Sequence, residues 1–135
     1  MSKSDPSDAS RINLTDTKEQ IRNKIKKAKT DTNSFPVNEK DLIKRPEIQN
    51  LIGIYSSLKS QKISETLNEF QGKNFSSFKE KLSEVVIENI SPISEEISKL
   101  KTDKRHIHQV LKDGSEKAEV IASEKIRKIK EIIGF

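Results

Sequence analysis

The chain has 135 residues, of which 31% are hydrophobic and 35% are charged. This length fits one domain, or one small domain with an appendage, and its few apolar residues must lie on helix faces to form a core. Cysteine is absent, which excludes disulfides, thiolate nucleophiles and cysteine metal sites. The sequence has no apolar run long enough to span a membrane and no signal-peptide pattern, so we expect a soluble, cytoplasmic protein.

The net charge of +5 is spread unevenly along the chain. Residues 1–45 and 101–135 are basic, whereas residues 46–100 are acidic. This distribution is typical of a protein that contacts a polyanion through its two ends. The alternative is that these charges are ordinary solvated helix surface.

Residues 1–14 have the composition of a loop. Lys3 lies between two serine hydroxyls, and the turn signal Asp5-Pro6 follows it. One ammonium group, two hydroxyls and free backbone N–H groups suit an anion such as a phosphate. The alternative is a frayed, serine-rich terminus without a ligand.

A first helix is predicted from Thr15 or Asp16, with Glu19 at the spacing of a capping box. Isoleucines recur at helical spacing after this cap, and basic residues cover the other sides to about Lys29. Residues 30–45 are rich in turn formers and predict an ordered loop. We expect Phe35 and Val37 to pin this loop to the core.

The rest of the chain predicts further helices and no strand, which makes the fold all-α. A central helix over 46–58 opens on Pro46, and a shorter helix over 62–71 ends at Gly72. A long apolar stripe then continues across Pro92. It favours one helix kinked near that proline, although a true break is the alternative. Asp103 caps the last segment, Gly134 closes it, and Gly114 lies either inside one helix or between two.

The helical part offers no recognisable active site. His106 and His108 are two positions apart, about 200° around a helix, so they do not converge on one metal ion. Glu95 and Glu96 are adjacent and diverge, which removes support for a paired acid and base. The loop around Lys3 is the only candidate for chemistry, and one lysine alone does not make an active site.

The segment from Met1 to Pro6 resembles the end of the Lys-Met-Ser-Lys-Ser signature of class I aminoacyl-tRNA synthetases, without its leading lysine. Further blocks along the chain resemble bacterial tryptophanyl-tRNA synthetases in the order found in that family. These blocks are residues 10–16, 24–31, 45–46, 50–55, 78–79, 85–88, 92–93, 110–111, 114–118 and 122–124. The resemblance covers nearly the whole chain.

This resemblance implies a C-terminal part of a tryptophan–tRNA ligase, in which residues 1–14 end the catalytic domain and residues 15–135 form a helical bundle that binds tRNA(Trp). It implies that Lys3 is catalytic and engages the ATP phosphates, with Mg²⁺ expected in the intact enzyme. Met1, Ser2 and Ser4 would complete the ATP-binding loop. The predicted tRNA contacts are Arg22, Lys26, Lys29, Lys101, Lys104 and Arg105.

The parallel-sheet, Rossmann-type catalytic half of the family has no counterpart in this sequence. Met1 coincides with the methionine of the signature, so we expect a truncated or split gene product that is inactive alone. The missing half would act in cis or as a separate chain, and the family's homodimer is a further expected partner. The alternatives are a free-standing basic helical module that binds RNA and a helical protein-interaction module, both without catalysis.

Overall fold

A computed structural model describes residues 6–134, and every regular element in this range is helical. Two 3₁₀ turns, Asp8–Ser10 and Glu39–Leu42, accompany the α-helices. The helices are α1 (Lys18–Lys27), α2 (Pro46–Lys59), α3 (Ile63–Glu69), α4 (Phe75–Thr102) and α5 (Lys104–Ile133). The predicted all-α fold is confirmed.

The chain divides into two compact units, Met1–Glu95 and Glu96–Phe135. The buried hydrophobic core lies in the first unit. The second unit is built mainly of α5, whose residues are all exposed. The separate prediction of a loop over 1–14 and a helical part over 15–135 stays a prediction. Within residues 6–134, no helix is long and apolar enough to cross a membrane.

Helix α1 begins later than predicted, and its cap is Thr17. The Thr17 hydroxyl accepts a hydrogen bond from the Gln20 backbone N–H at 3.2 Å, and the Gln20 side chain accepts one from the Thr17 N–H at 2.7 Å. The predicted cap at Thr15 or Asp16 with Glu19 is therefore wrong. The Asp16 carboxylate instead accepts bonds from the Asn13 backbone N–H and from Lys24.

The loop before α2 is held by Phe35, as predicted, but not by Val37. Phe35 is 5% exposed, and its ring centroid lies 5.3 Å from that of Phe78. Val37 is 56% exposed, and its backbone N–H donates to the Asp41 carboxylate, which places this residue in the cap of the second 3₁₀ turn and not against the core. Leu42, on the same turn, is the second anchor and is 2% exposed.

Helix α2 is central, as its apolar pattern predicts. It opens on Pro46, whose missing N–H costs nothing in the first turn. Four of its apolar side chains are nearly inaccessible to solvent: Ile48, Leu51, Ile52 and Tyr55. The Tyr55 hydroxyl donates to Glu69 at 2.8 Å. Burial, together with the nearby Glu69 carboxylate, raises the pKa of Tyr55.

Pro92 and Gly114 both lie inside continuous helices. Helix α4 continues through Pro92, which confirms one long helix; the kink stays a prediction. The buried residues of α4 all precede Pro92, so the proline lies where burial ends. Asp103 caps α5 by accepting the His106 N–H at 2.9 Å. Gly134 ends α5 at a φ of +80°, in the left-handed region that glycine adopts without strain.

Replacing Phe78 by alanine should lower the free energy of unfolding by about 3–5 kcal/mol, since the ring is 0% exposed and leaves a cavity. Urea unfolding followed by circular dichroism measures this change. Val37→Ala is the control and should change stability by less than about 0.5 kcal/mol because that side chain is mostly in solvent. Equal effects of the two substitutions would contradict this description of the core.

Candidate functional site

The predicted phosphate-binding residues Met1, Ser2, Lys3 and Ser4 lie outside the described residues. The structure does describe the segment that follows them, residues 6–16, which we call the loop stem. Asn13 organises the loop stem: its side-chain amide donates to Asp8 at 2.9 Å, and its backbone N–H donates to Asp16 at 2.9 Å. The loop stem is therefore internally hydrogen-bonded.

Lys24 of α1 joins the two carboxylates of the loop stem. Its Nζ atom lies 2.7 Å from Asp8 Oδ2 and 2.7 Å from Asp16 Oδ2. The Lys24 and Asp16 side chains are 11% and 7% exposed, whereas that of Asp8 is 59% exposed. Asp16 thus holds the Lys24 ammonium inside the protein, and Asp8 contacts it at the surface. We call these three residues the Lys24 clamp.

The charges of the Lys24 clamp shift one another's pKa values. The hydrogen bond from Lys24 lowers the pKa of Asp8, and Asn13 adds to this effect. Burial acts to raise the pKa of Asp16, but the bonds from Lys24 and Asn13 outweigh burial, so the pKa lies below its usual value. Burial opposes the charge on Lys24, yet its two partners raise its pKa. All three groups are therefore charged at neutral pH.

Two of the predicted tRNA contacts, Arg22 and Lys26, line one cleft with a volume of about 620 Å³. Lys79 of α4 also lines the cleft, and its Nζ donates to the Ala28 carbonyl at 2.7 Å. Burial lowers the pKa of Lys79. The acidic residues Glu80 and Glu84 lie at the cleft as well, so its charge is mixed.

The other four predicted contacts lie elsewhere. Lys29 is exposed and pairs with Glu47 at 3.2 Å. Lys101, Lys104 and Arg105 lie in the second unit, where all three are exposed. Within the first unit, Arg22 and Lys26 are the two predicted contacts that line this cleft.

An open apolar groove of about 1060 Å³ runs beside the loop stem. It lies entirely within the first unit. The apolar residues that line it come from the loop stem, α2 and α4, and are Ile12, Leu14, Ile54, Leu58, Val86 and Ile90. Leu14 is 49% exposed, so this part of the chain presents apolar surface to solvent.

Among residues 6–134, no three histidine, aspartate or glutamate side chains are grouped so that they could hold a metal ion. His106 and His108 are exposed on α5. The Mg²⁺ expected for the intact enzyme is therefore not assigned to described residues of this chain.

A family model described as tRNA synthetases class I (W and Y) matches residues 1–91, which is most of the chain. The chain belongs to this family. Its similarity to curated proteins extends further along the sequence. It is 45% identical to a tryptophan–tRNA ligase of Brucella melitensis, 47% to one of Rickettsia felis and 44% to one of Mesorhizobium japonicum.

Each of these matches covers 100% of the chain but only 38–40% of the relative. The chain therefore spans well under half the length of the ligases it matches. The resemblance expected from the signature and the blocks that follow it is confirmed as membership of this class I family.

Asp16→Asn should lower the free energy of unfolding at pH 7 by about 1–3 kcal/mol, because it weakens the bonds of a buried carboxylate to Lys24 and Asn13. The ordinary pKa of this carboxyl is 3.8, and the folded state lowers it. The stability that Asp16 contributes is therefore present above about pH 4 and is lost as the pH falls through the folded pKa.

Urea unfolding from pH 7 to pH 2 measures this change. The difference in the free energy of unfolding between the parent and Asp16→Asn should shrink as the pH falls. The control, Asp113→Asn at an exposed position, should have the same free energy of unfolding as the parent at each pH. A difference between Asp16→Asn and the parent that stays constant with pH would contradict this prediction.

Proposed function

We propose that this chain forms the C-terminal part of a tryptophan–tRNA ligase, the enzyme that activates tryptophan with ATP and transfers it to tRNA(Trp). The observation that supports this proposal is that proteins of that name align with every residue of the chain at about 45% identity. The chain would supply the ATP-phosphate loop over 1–14 and a helical tRNA-binding part over 15–135. We expect the ligase to act in the cytoplasm, where translation consumes its product.

In this proposal Lys3 contacts the ATP phosphates, with Met1, Ser2 and Ser4 shaping the loop around it. When the tryptophan carboxylate attacks the α-phosphate, negative charge accumulates on the departing pyrophosphate. An ammonium group that closes over the phosphates at this stage stabilises the transition state more than the bound substrates. Mg²⁺ would accompany ATP as its counter-ion. The physical requirement is that the loop can close, with Lys3 then held in position.

For the tRNA, we propose that Arg22 and Lys26 contact backbone phosphates from the cleft shared with Lys79. Their guanidinium and ammonium groups are suited to phosphate oxygens, and contacts of this kind carry no sequence preference. Lys29, Lys101, Lys104 and Arg105 would add further phosphate contacts outside the cleft.

We further propose that catalysis requires the remaining part of the ligase, in cis or as a separate chain. The groove beside the loop stem offers apolar surface that this part could cover. A homodimer is expected for the assembled enzyme by analogy with the family. The alternative is a non-catalytic RNA-binding module, and the first experiment below distinguishes it from this proposal.

The chain alone should show no tryptophan-dependent exchange of label between pyrophosphate and ATP, because it spans only 38–40% of the ligases it matches and we propose that tryptophan binds in the remaining part. Adding the catalytic part of the ligase, fused or as a second chain, should produce exchange above background. Exchange by the chain alone would refute the requirement for a second part. Absence of exchange in the assembled protein, with tRNA binding intact, would favour the RNA-binding module.

The chain should bind tRNA with an affinity that falls steeply with salt, since phosphate contacts release counter-ions. Replacing Arg22 or Lys26 by alanine should weaken binding and reduce the slope of log K against log[salt] by about one. Filter binding between 50 and 300 mM KCl, about the range over which such contacts weaken, measures both quantities. Lys44→Ala, an exposed position outside the predicted contacts, serves as the control. Binding that does not change with salt would argue against phosphate contacts.

A further inference from the structure

Helix α5 carries an apolar stripe that is exposed to solvent. Ile107, Ala118 and Ile129 are spaced eleven residues apart, and the positions three and four residues after each of them are apolar as well. At about 100° per residue, these positions lie within about 140° of the helix circumference. We call them the α5 stripe. All of them are exposed, and the large side chains among them are 39–83% exposed.

The eleven-residue spacing keeps the α5 stripe nearly parallel to the helix axis, because three turns of an α-helix take about 10.8 residues. The stripe therefore runs along most of α5, which has 30 residues and is about 45 Å long. In water, an amphipathic helix gains most of its stability from packing of its apolar face. A straight stripe of this length fits the apolar face of another helix.

The area of the α5 stripe matches what a dimer needs. Together with Ile126, which borders it, the stripe leaves on the order of 800 Å² of apolar side-chain surface in water, and each partner in a stable interface buries about this area. Ala118 and Ala122 lie near the middle of the stripe, where their small side chains let a second helix approach closely.

The charges beside the α5 stripe repeat with the same spacing. Asp113 and Glu124 are eleven residues apart, and so are Lys117 and Lys128. All four lie within about 60° on one flank of the stripe. Glu124 binds Lys128 of its own helix at 2.7 Å. This flank therefore alternates acidic and basic groups along the helix.

This flank is complementary to itself in an antiparallel pair of helices. With a two-fold axis between residues 120 and 121, Lys117 lies level with Glu124 of the second copy, and Asp113 with Lys128 of the second copy. The same axis passes the middle of the stripe, so the two stripes overlap along their length. A parallel pair would instead place each charge level with its own copy. Exposed ion pairs of this kind set the direction of pairing more than its strength.

We propose that α5 is a self-association surface, on which α5 of a second copy of this chain packs antiparallel along the α5 stripe. The partner is thus a second copy of the chain, and both copies contribute the same residues to the interface. This inference does not rest on the proposed function, because the stripe contains none of the residues proposed to contact ATP or tRNA.

Sedimentation equilibrium of the full chain at about 10–100 μM tests the proposal. The chain should sediment with twice its mass of 15.4 kDa. Ile121→Asp places a charge on the stripe beside the two-fold axis and should raise the dimer dissociation constant more than about tenfold, because that charge would be buried in an apolar interface. A monomeric chain throughout this range would overturn the proposal and leave the remaining part of the ligase as the cover for the stripe.

Val120→Asp is the matched control. Val120 is 72% exposed and Ile121 is 66% exposed, but Val120 projects from the polar side of α5. The two substitutions have similar costs to the helix, so only a contact along the stripe distinguishes them. Val120→Asp should change the dissociation constant by less than about threefold. Equal weakening by the two variants would refute the stripe as the contact surface.

Disulfide cross-linking tests the direction of pairing, since the sequence contains no cysteine. Val110→Cys and Ile132→Cys are made as separate full-length proteins, mixed and oxidised. In the antiparallel pair these two positions are nearly level, so the main product should join one variant to the other. Efficient cross-linking of Val110→Cys to itself would show a parallel pair and overturn the proposed arrangement.

Discussion

The aromatic cluster of the first unit is the interaction on which the other contacts depend. Aromatic residues make up only 4% of the sequence, and all of them except Phe135, which lies outside the described residues, meet in one place. The cluster consists of Phe35, Tyr55, Phe70, Phe75 and Phe78. These rings come from the loop before α2, from α2 itself, from the end of α3 and from α4. A chain with few apolar residues thus concentrates them where four segments converge, and edge-to-face contacts add to the burial.

Arg45 connects this cluster to the segment that follows α1. Its guanidinium forms two hydrogen bonds to Asp31, at 2.7 and 2.6 Å, and one to the Ser34 carbonyl at 3.1 Å. The same group lies 5.6 Å from the centre of the Phe75 ring. The loop between α1 and α2 is therefore held by a charged pair at its surface and by Phe35 inside. This arrangement holds the chain just after α1, where Lys79 binds the Ala28 carbonyl and the cleft of mixed charge begins.

Local rules predicted those parts of the structure in which neighbouring residues decide the conformation. The spacing of isoleucines and leucines gave α2, the resemblance gave the family, and Asp103 and Gly134 gave the ends of α5. The errors arose where a distant group competes for the same atoms. Asp16 is a good capping residue by composition, but Lys24, eight positions away, uses its carboxylate. Val37 is apolar, yet the turn around Asp41 directs it to solvent.

The residues that sequence reasoning missed, Asp8, Lys24 and Lys79, share a physical reason. Each is a charged residue on a segment rich in charges, so neither the composition nor the spacing of apolar residues distinguishes it from its neighbours. Their roles come from contacts across the fold, such as the Lys79 ammonium on the Ala28 carbonyl. A distance between elements is not encoded in any short pattern. The positions of Met1 to Ser4 remain predictions from the signature alone.

Helix α1 is ten residues long, about 15 Å, and only Ile21 and Ile25 are buried. Lys24 is two positions from both Arg22 and Lys26, so it projects about 200° around the axis from them. The loop stem and the cleft that Arg22 and Lys26 line therefore lie on opposite sides of α1. A rotation of α1 about its axis would therefore move Lys24 in one direction and Arg22 and Lys26 in the opposite direction.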